Sequence, residues 1–339
     1  MSAMEAIQTV ERLPSMRQGQ EGLAALALVR EELALVEQKM RSLGDVGFAP
    51  LAEAFLKILE SGGKRLRPAV TILSARFYPC PLEPLISLAA AVETLHTATL
   101  VHDDVIDNAL LRRGTPTLNA SWSHGTTILA GDYLFARAAS FAAEAANVRL
   151  MHIFARTLMI IVDGELRQLF SLRNWQQPRE EYYRRIFAKT ASLFSAACES
   201  GAVLSGAPEP HVQALKDYGY HLGMAFQIMD DILDFTGDDA ALGKPVGNDL
   251  RQGTLTLPAF YYLQAHPEAA ASLEAELRSG DGGVERVVAL IRNSPAIERA
   301  HEEARHFADQ AKASLMPLPD NPYRQAMASL ADFAVAREK

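Results

Sequence analysis

The chain is short of several things, and each absence narrows what it can be. Its 339 residues include two cysteines, Cys80 and Cys198, too few for a disulfide framework and suggestive of a reducing compartment. It has no basic excess: 33 Lys and Arg face 41 Asp and Glu, for a formal net charge of −8. Without a long basic face, no nucleic-acid partner is expected. No uninterrupted apolar stretch approaches the roughly 18 residues that span a bilayer, so no transmembrane segment is expected. Residues 1–20 are polar, carry Glu5, Glu11 and Pro14, and lack the apolar core of a signal peptide. Strand-like alternation is nearly absent, and no fixed repeat of roughly 20–50 residues appears. What remains is a cytoplasmic globular protein, whose 49% hydrophobic content is ample for a core.

Helical periodicity fills the space these absences leave. Leu26, Val29, Leu33, Val36, Met40 and Leu43 recur at steps of three and four, which predicts an amphipathic helix. A second helix is expected over 51–59, stopped by Ser61-Gly62-Gly63, with Pro68 in the first turn of a third. Pro79, Pro81 and Pro84 mark a turn before a long Ala- and Leu-rich helix over 84–107. Further helices are expected over 127–146, 149–172, 179–204 and 212–235. The Gly- and Asp-rich stretch 237–253 reads as a loop, and Ser294-Pro295 as the cap and first turn of a later helix. No linker interrupts the chain. The expectation is an all-α fold: a loosely attached extension over 1–20, and a single-domain helical bundle around a central cavity over 21–339.

Two stretches organise this pattern. Val101-His102-Asp103-Asp104-Val105-Ile106-Asp107 and Met229-Asp230-Asp231-Ile232-Leu233-Asp234-Phe235 both read Asp-Asp-x-x-Asp inside apolar runs. Positions i and i+4 share a helix face, so Asp103 stacks over Asp107 and Asp230 over Asp234. Like charges at that spacing cost a few tenths of a kcal/mol in water. Beside Leu100, Val101, Ile106, Ile228 and Leu233 they cost far more, because desolvated carboxylates must protonate or find cations. Mg²⁺ suits them, since it prefers oxygen, keeps several waters, and takes one or two carboxylates plus substrate phosphates. A solvated acidic helix face is the plain alternative. It suits one such motif better than two, each embedded in apolar sequence and followed by basic residues.

Weaker signals surround the pair. Gly62-Gly63-Lys64-Arg65-Leu66-Arg67-Pro68 precedes a helix, where backbone N–H groups, close-approach glycines and cationic side chains can hold an anion. The alternative is an ordinary Gly-Gly turn with solvated bases. Leu111-Arg112-Arg113-Gly114 follows the first acidic motif and could simply neutralise that helix end. Taken singly, His96, Lys189-Thr190, Gln227 and Lys244 say little.

Together these residues resemble the trans-isoprenyl diphosphate synthases, or polyprenyl synthetases, over roughly residues 25–335. The match runs through Gly63-Lys64-Arg65-Leu66-Arg67-Pro68, His96-Thr97-Ala98-Thr99-Leu100-Val101-His102 with its Asp103–Asp107 motif, and Leu111-Arg112-Arg113-Gly114. It continues through Gly131-Asp132-Tyr133-Leu134, Gly164-Glu165, Lys189-Thr190 and Phe226-Gln227-Ile228-Met229 with Asp230–Asp234. It ends at Gly243-Lys244-Pro245-Val246-Gly247-Asn248-Asp249-Leu250. One departure is Gly253-Thr254, where many relatives carry Gly-Lys, which puts one extra diphosphate contact in doubt.

The resemblance implies an isoprenoid-synthase-like fold and a reaction. An allylic prenyl diphosphate ionises, the double bond of isopentenyl diphosphate attacks the cation, and a proton is lost. It implies Mg²⁺, three ions per site with Mn²⁺ able to substitute, held by Asp103 and Asp107 on one wall and Asp230 on the other. Asp104, Asp231 and Asp234 serve as further ligands or supporting carboxylates. Arg112, Lys189 and Lys244 clamp the allylic diphosphate, while Gly63, Lys64, Arg67, His96 and Arg113 hold isopentenyl diphosphate. Thr190 and Gln227 stabilise the cation with oxygen dipoles. A homodimer is implied, with transient membrane contact for product release.

Product length follows from helix geometry. A chain growing from Asp103 back along its own helix passes Ala98 and Thr99 about 6–7.5 Å away, then Leu95 and Val92. Family members that stop early place a bulky aromatic near the first of these positions. Here both residues are small, and the acidic motif lacks the two-residue insertion of some short-chain relatives. A long product of at least about twenty carbons, and more narrowly of roughly thirty to fifty, is expected, unless Phe135 or Phe141 supplies a floor. Rival readings are a geranylgeranyl or farnesyl diphosphate synthase, a squalene synthase or terpene cyclase, a histidine–aspartate phosphohydrolase, and a non-catalytic regulatory subunit. The Gly62–Pro68 heptad and the presence of all six aspartates argue against the last three.

Overall fold

The protein is described by a computed structural model covering residues 25–60, 62–112, 114–237, 246–279 and 282–337. The expected extension over 1–20, Arg113 and Lys244 lie outside the described residues. Fifteen α-helices carry the described fold: α1 (Arg30–Arg41), α2 (Ala49–Glu60), α3 (Leu66–Ala75), α4 (Leu82–Ile106), α5 (His124–Ala143), α6 (Val148–Ser171), α7 (Arg179–Ile186) and α8 (Ser192–Leu204), then α9 (Glu209–Thr236), α10 (Asn248–Gln252), α11 (Leu257–Ala265), α12 (Ala270–Ser279), α13 (Gly283–Arg292), α14 (Ala296–Ser314) and α15 (Pro322–Val335). A two-residue antiparallel hairpin, β1 (Leu111–Arg112) and β2 (Thr115–Pro116), follows the first acidic motif. The all-α expectation holds.

Two helices carry the acidic motifs. α4 packs against α5, and both helices bury small residues, Ala91 and Ala98 on one and Ala130, Ala138 and Ala142 on the other. α9 is the spine of the other side: it packs on α8, which packs on α3, and its opposite flank meets α14. Tyr218 and Leu222 on α9 belong to the core shared by α1, α3, α4, α5 and α8. Met224, Ile228, Ile232 and Phe235 on the same helix belong to a second core with α7, α11, α13 and α14. One continuous helix thus fixes the second motif relative to both cores.

Two expectations need correction. The helix expected over 179–204 is broken into α7 and α8 by a π turn at Phe187–Ala191. The loop expected over 237–253 contains the short helix α10, opened and closed by Gly247 and Gly253 in the left-handed region. α4 is long and apolar enough to cross a membrane by length and composition, although most of it is buried inside the protein, as befits a core helix. Among the described residues no other helix passes that test.

Candidate active site

Glycines bring the site's helices together. A Cβ on Gly131 of α5 would collide with the imidazole of His102, which instead lies against Ile128 O at 3.0 Å and 3.5 Å from Asp132 Oδ1. A Cβ on Gly164 of α6 would strike Ala188, so the π turn can abut α6 there. Gly219 and Gly223 of α9 allow the same closeness to α8 and to Ala191. A π turn at such a junction is typical of functional sites.

That turn presents two neighbouring side chains to opposite acidic motifs. Lys189 Nζ lies 2.9 Å from Glu165 Oε1 and 3.6 Å from Asp103 Oδ2. Thr190 Oγ1 donates to Gln227 Oε1 at 2.6 Å, and Gln227 Nε2 donates to Asp231 Oδ1 at 2.8 Å. Burial alone would lower the Lys189 ammonium, but the carboxylates of Asp103 and Glu165 outweigh it and hold it above its usual value. Burial raises the Asp103 carboxyl, opposed by Lys189 and reinforced by Asp107. Asp104 is raised by burial too, against the pull of Arg112, whose Nε donates to Asp104 Oδ1 at 2.9 Å. Asp107 caps α4 in an exposed position.

The second motif divides its labour. Asp230 is the most open of its three aspartates, with a side chain 42% exposed, and accepts from Arg337 Nη1 at 2.9 Å. Arg337 also donates to Phe226 O at 2.8 Å and lies 3.8 Å from the Phe226 ring centroid. Asp231 turns inward and is 3% exposed. Burial pushes its carboxyl up to about 8, Asp249 adding to the rise and the bonds from Gln227 and Tyr182 opposing it. Asp234, also buried, accepts from the backbone N–H of Asp249 at 3.1 Å and so anchors α10.

The heptad runs from the turn after α2 into the first residues of α3. Exposed Gly63 and Lys64 lead into Arg65, which holds a left-handed conformation and pairs with Glu93 at 3.1 Å. Lys64 Nζ sits 5.3 Å from the Phe333 ring of α15, and the Arg67 guanidinium 4.6 Å from the Phe194 ring. His96 is half-buried on α4, and its backbone carbonyl accepts from Thr99 Oγ1 at 2.7 Å. Ala98, Leu95 and Val92 are buried along α4, with Thr99 half-buried.

The structure therefore brings Asp103, Lys189 and Glu165 into one network and Thr190, Gln227 and Asp231 into a second, joined only by the adjacency of Lys189 and Thr190 in the π turn, while Arg112 is turned back onto Asp104. Sequence reasoning missed Tyr182, whose hydroxyl donates to Asp231 Oδ2 at 2.8 Å, and Arg337. It also missed that Glu165 is the partner of Lys189. Only Glu165 carried a visible signal, as the acid in Gly164-Glu165.

Comparison with known proteins agrees with this arrangement. The polyprenyl synthetase family model matches residues 49–293. Heptaprenyl diphosphate synthase component 2 of Geobacillus stearothermophilus is 41% identical over 315 residues, covering 93% of this chain and 98% of that protein. The structure of a decaprenyl diphosphate synthase from Rhodobacter capsulatus superposes with a TM-score of 0.87 at 39% identity, covering 94% of this chain and 99% of that one. A polyprenyl synthase from Caulobacter crescentus, complexed with calcium and isoprenyl diphosphate, gives 0.85 at 38% identity, covering 93% and 97%. With two acidic helices joined through Lys189 and Thr190, and with relatives matched over nearly their whole length, the chain belongs to the polyprenyl synthetase family and is a prenyltransferase of isoprenoid biosynthesis.

Proposed function

We propose that the protein condenses isopentenyl diphosphate with an allylic prenyl diphosphate, head to tail and repeatedly, to a long all-trans polyprenyl diphosphate. The observation that carries this reading is the π turn: Lys189 faces Asp103 while Thr190 faces Gln227, so a cation and an oxygen dipole sit side by side between the two acidic motifs. A reaction that expels diphosphate and leaves a carbocation needs both.

The donor set fits Mg²⁺. It is all carboxylate, raised by burial and mutual repulsion at Asp103 and Asp104, and it gains from a cation. Mg²⁺ takes one or two carboxylates and completes its shell with waters and substrate phosphates. Asp103, Asp107 and Asp230 would hold such ions, three per site by family resemblance, with Asp104 and Asp234 in support and Mn²⁺ as a substitute. The metal supplies Lewis-acid stabilisation of the departing diphosphate.

The protein's own groups do the rest. Lys189, with Arg112 and Lys244, orients the allylic diphosphate and neutralises charge as the C–O bond breaks and its electron pair leaves with diphosphate. Oxygen lone pairs of Thr190 and Gln227 face the cation. Gly63, Lys64, Arg67, His96 and Arg113 hold isopentenyl diphosphate so that its alkene pair forms the new C–C bond. A proton then passes to the departed diphosphate, and the C–H bonding pair it leaves behind forms the new double bond. Buried small residues along α4 support a long product, as do relatives named for seven and ten prenyl units.

A homodimer is supported by the outer face of α6, where Met159, Val162, Leu166, Leu169 and Phe170 are exposed at helical spacing and Phe170 is 91% exposed. A heteromeric assembly is the second reading, favoured by the "component 2" in one relative's name.

The test is incubation of the purified chain alone with labelled isopentenyl diphosphate, farnesyl diphosphate and Mg²⁺. Polyprenyl products of roughly thirty to fifty carbons are expected. Diphosphate release without isopentenyl diphosphate would point to a cyclase, and activity that appears on adding a second chain would favour the heteromer.

A further inference from the structure

Tyr182 on α7 is wholly buried, yet it carries a hydroxyl. Its ring packs against Tyr183 and Phe260 at 5.4 and 5.9 Å, with the Arg185 guanidinium 5.5 Å away. Phe would fill that volume without burying a polar atom, which costs free energy unless the atom finds a partner. The hydroxyl's partner is Asp231 Oδ2, at 2.8 Å, on the next helix face.

The bond has a consequence two steps away. Asp231 Oδ1 accepts from Gln227 Nε2 at 2.8 Å, which commits the amide nitrogen to the protein interior. Gln227 Oε1 is thereby turned to Thr190, whose hydroxyl donates to it at 2.6 Å. A hydroxyl has one proton. With it committed to Gln227, Thr190 can offer only lone pairs in other directions. Were the Gln227 amide flipped, Nε2 would face Thr190, and the Thr190 proton would be free to point its positive end into the site. At a centre meant for a carbocation, those two states have opposite electrostatic sign.

We propose that Tyr182 is a positioning residue for the transfer reaction: by holding Asp231 it fixes the Gln227 amide, and so keeps the lone pairs of Thr190 and Gln227 toward the electron-poor carbon of the allylic substrate. Asp231 then acts as the hub of a buried relay. This rests on the prenyl-transfer reading above.

The experiment is calorimetric binding to the full chain with Mg²⁺ and inorganic diphosphate present. Two inert ligands are compared: an allylic analogue with a protonated amine at the reacting carbon, and its neutral carbon counterpart. The wild type should prefer the cationic analogue. Tyr182→Phe should lower that preference at least about fivefold, as expected for a lost oriented hydrogen bond, and leave the neutral analogue within about twofold of wild type. Tyr182→Leu, which removes the same hydroxyl with a different side chain, should do the same and carries the test if Tyr182→Phe does not fold. An unchanged preference, or parallel weakening of both analogues, would overturn the proposal, the latter revealing a structural or metal-binding role. If the wild type binds neither analogue, the prenyl-transfer reading itself fails.

Discussion

Arg337 donates from Nη1 to Asp230 Oδ1 at 2.9 Å, tying the last stretch of the described chain to the second acidic motif across 107 positions of sequence. The arginine side chain is 6% exposed and the aspartate 42%, so the pair sits at a boundary. A cation arriving at Asp230 must compete with this guanidinium. Because the carboxylate is well solvated, the pair contributes no more than about 1 kcal/mol. Arg337→Ala should therefore lower the Mg²⁺ concentration for half-maximal activity by up to about fivefold. A Mg²⁺ titration of initial rate decides it, and a requirement that rises or stays put would show that the contact does not compete with metal.

Stability of the metal-free protein should depend on pH in an unusual direction. Burial raises the carboxyls of Asp103, Asp104 and Asp231, the last to about 8. An acid whose folded pKa is raised favours the folded state below its unfolded pKa of about 4, and loses that contribution as pH climbs through the folded value. Lys189, raised as well, contributes fully below its unfolded pKa of about 10.4 and so is constant over this window. The midpoint of thermal unfolding should fall by a few degrees between about pH 6 and 8 and level off above the folded value of Asp231. Added Mg²⁺ with a diphosphate should flatten the fall. Midpoints that rise across that window in the absence of metal would contradict the assignment.

Product length should respond to Ala98. It is fully buried on α4, about five residues and 7.5 Å from Asp103 along the helix. Ala98→Phe should shorten the product to roughly fifteen or twenty carbons, with turnover on short primers retained. Mass analysis of the dephosphorylated products provides the reading, and an unchanged length distribution would place the floor elsewhere, at Phe135 or Phe141.

The α6 face should hold the dimer. Leu166 and Phe170 lie one turn apart on it, 50% and 91% exposed. Replacing both with Glu should leave the monomer folded, since neither belongs to a core cluster, and shift sedimentation from dimer to monomer at micromolar concentration. Persistence of the dimer would move the interface to another surface.

Much of this is legible in the sequence. Apolar spacing located most of the long helices, and the six aspartates announced themselves because like charges in apolar sequence need an explanation. Tyr182 and Arg337 did not. Each looks ordinary in its own helix, and each gains meaning from a partner 49 or 107 positions away. The close approaches at Gly131, Gly164 and Gly223 were equally silent, because a missing side chain matters only once the opposing backbone is known. The π turn left no local mark either: Phe187–Ala191 reads as good helix.

That turn also sets a constraint on chain length. In an unbroken α-helix, residues eight apart such as Tyr182 and Thr190 would point about 80° away from each other. The wider turn takes up most of that offset, so both reach α9, at Asp231 and Gln227, while Lys189 swings to α4 and α6. The segment works as a phase shifter. Many single substitutions within it would leave the phase intact, but removing any one of its five residues would let the helix rewind and set α7 out of step with α8. What the lineage must preserve there is a count as much as a spelling.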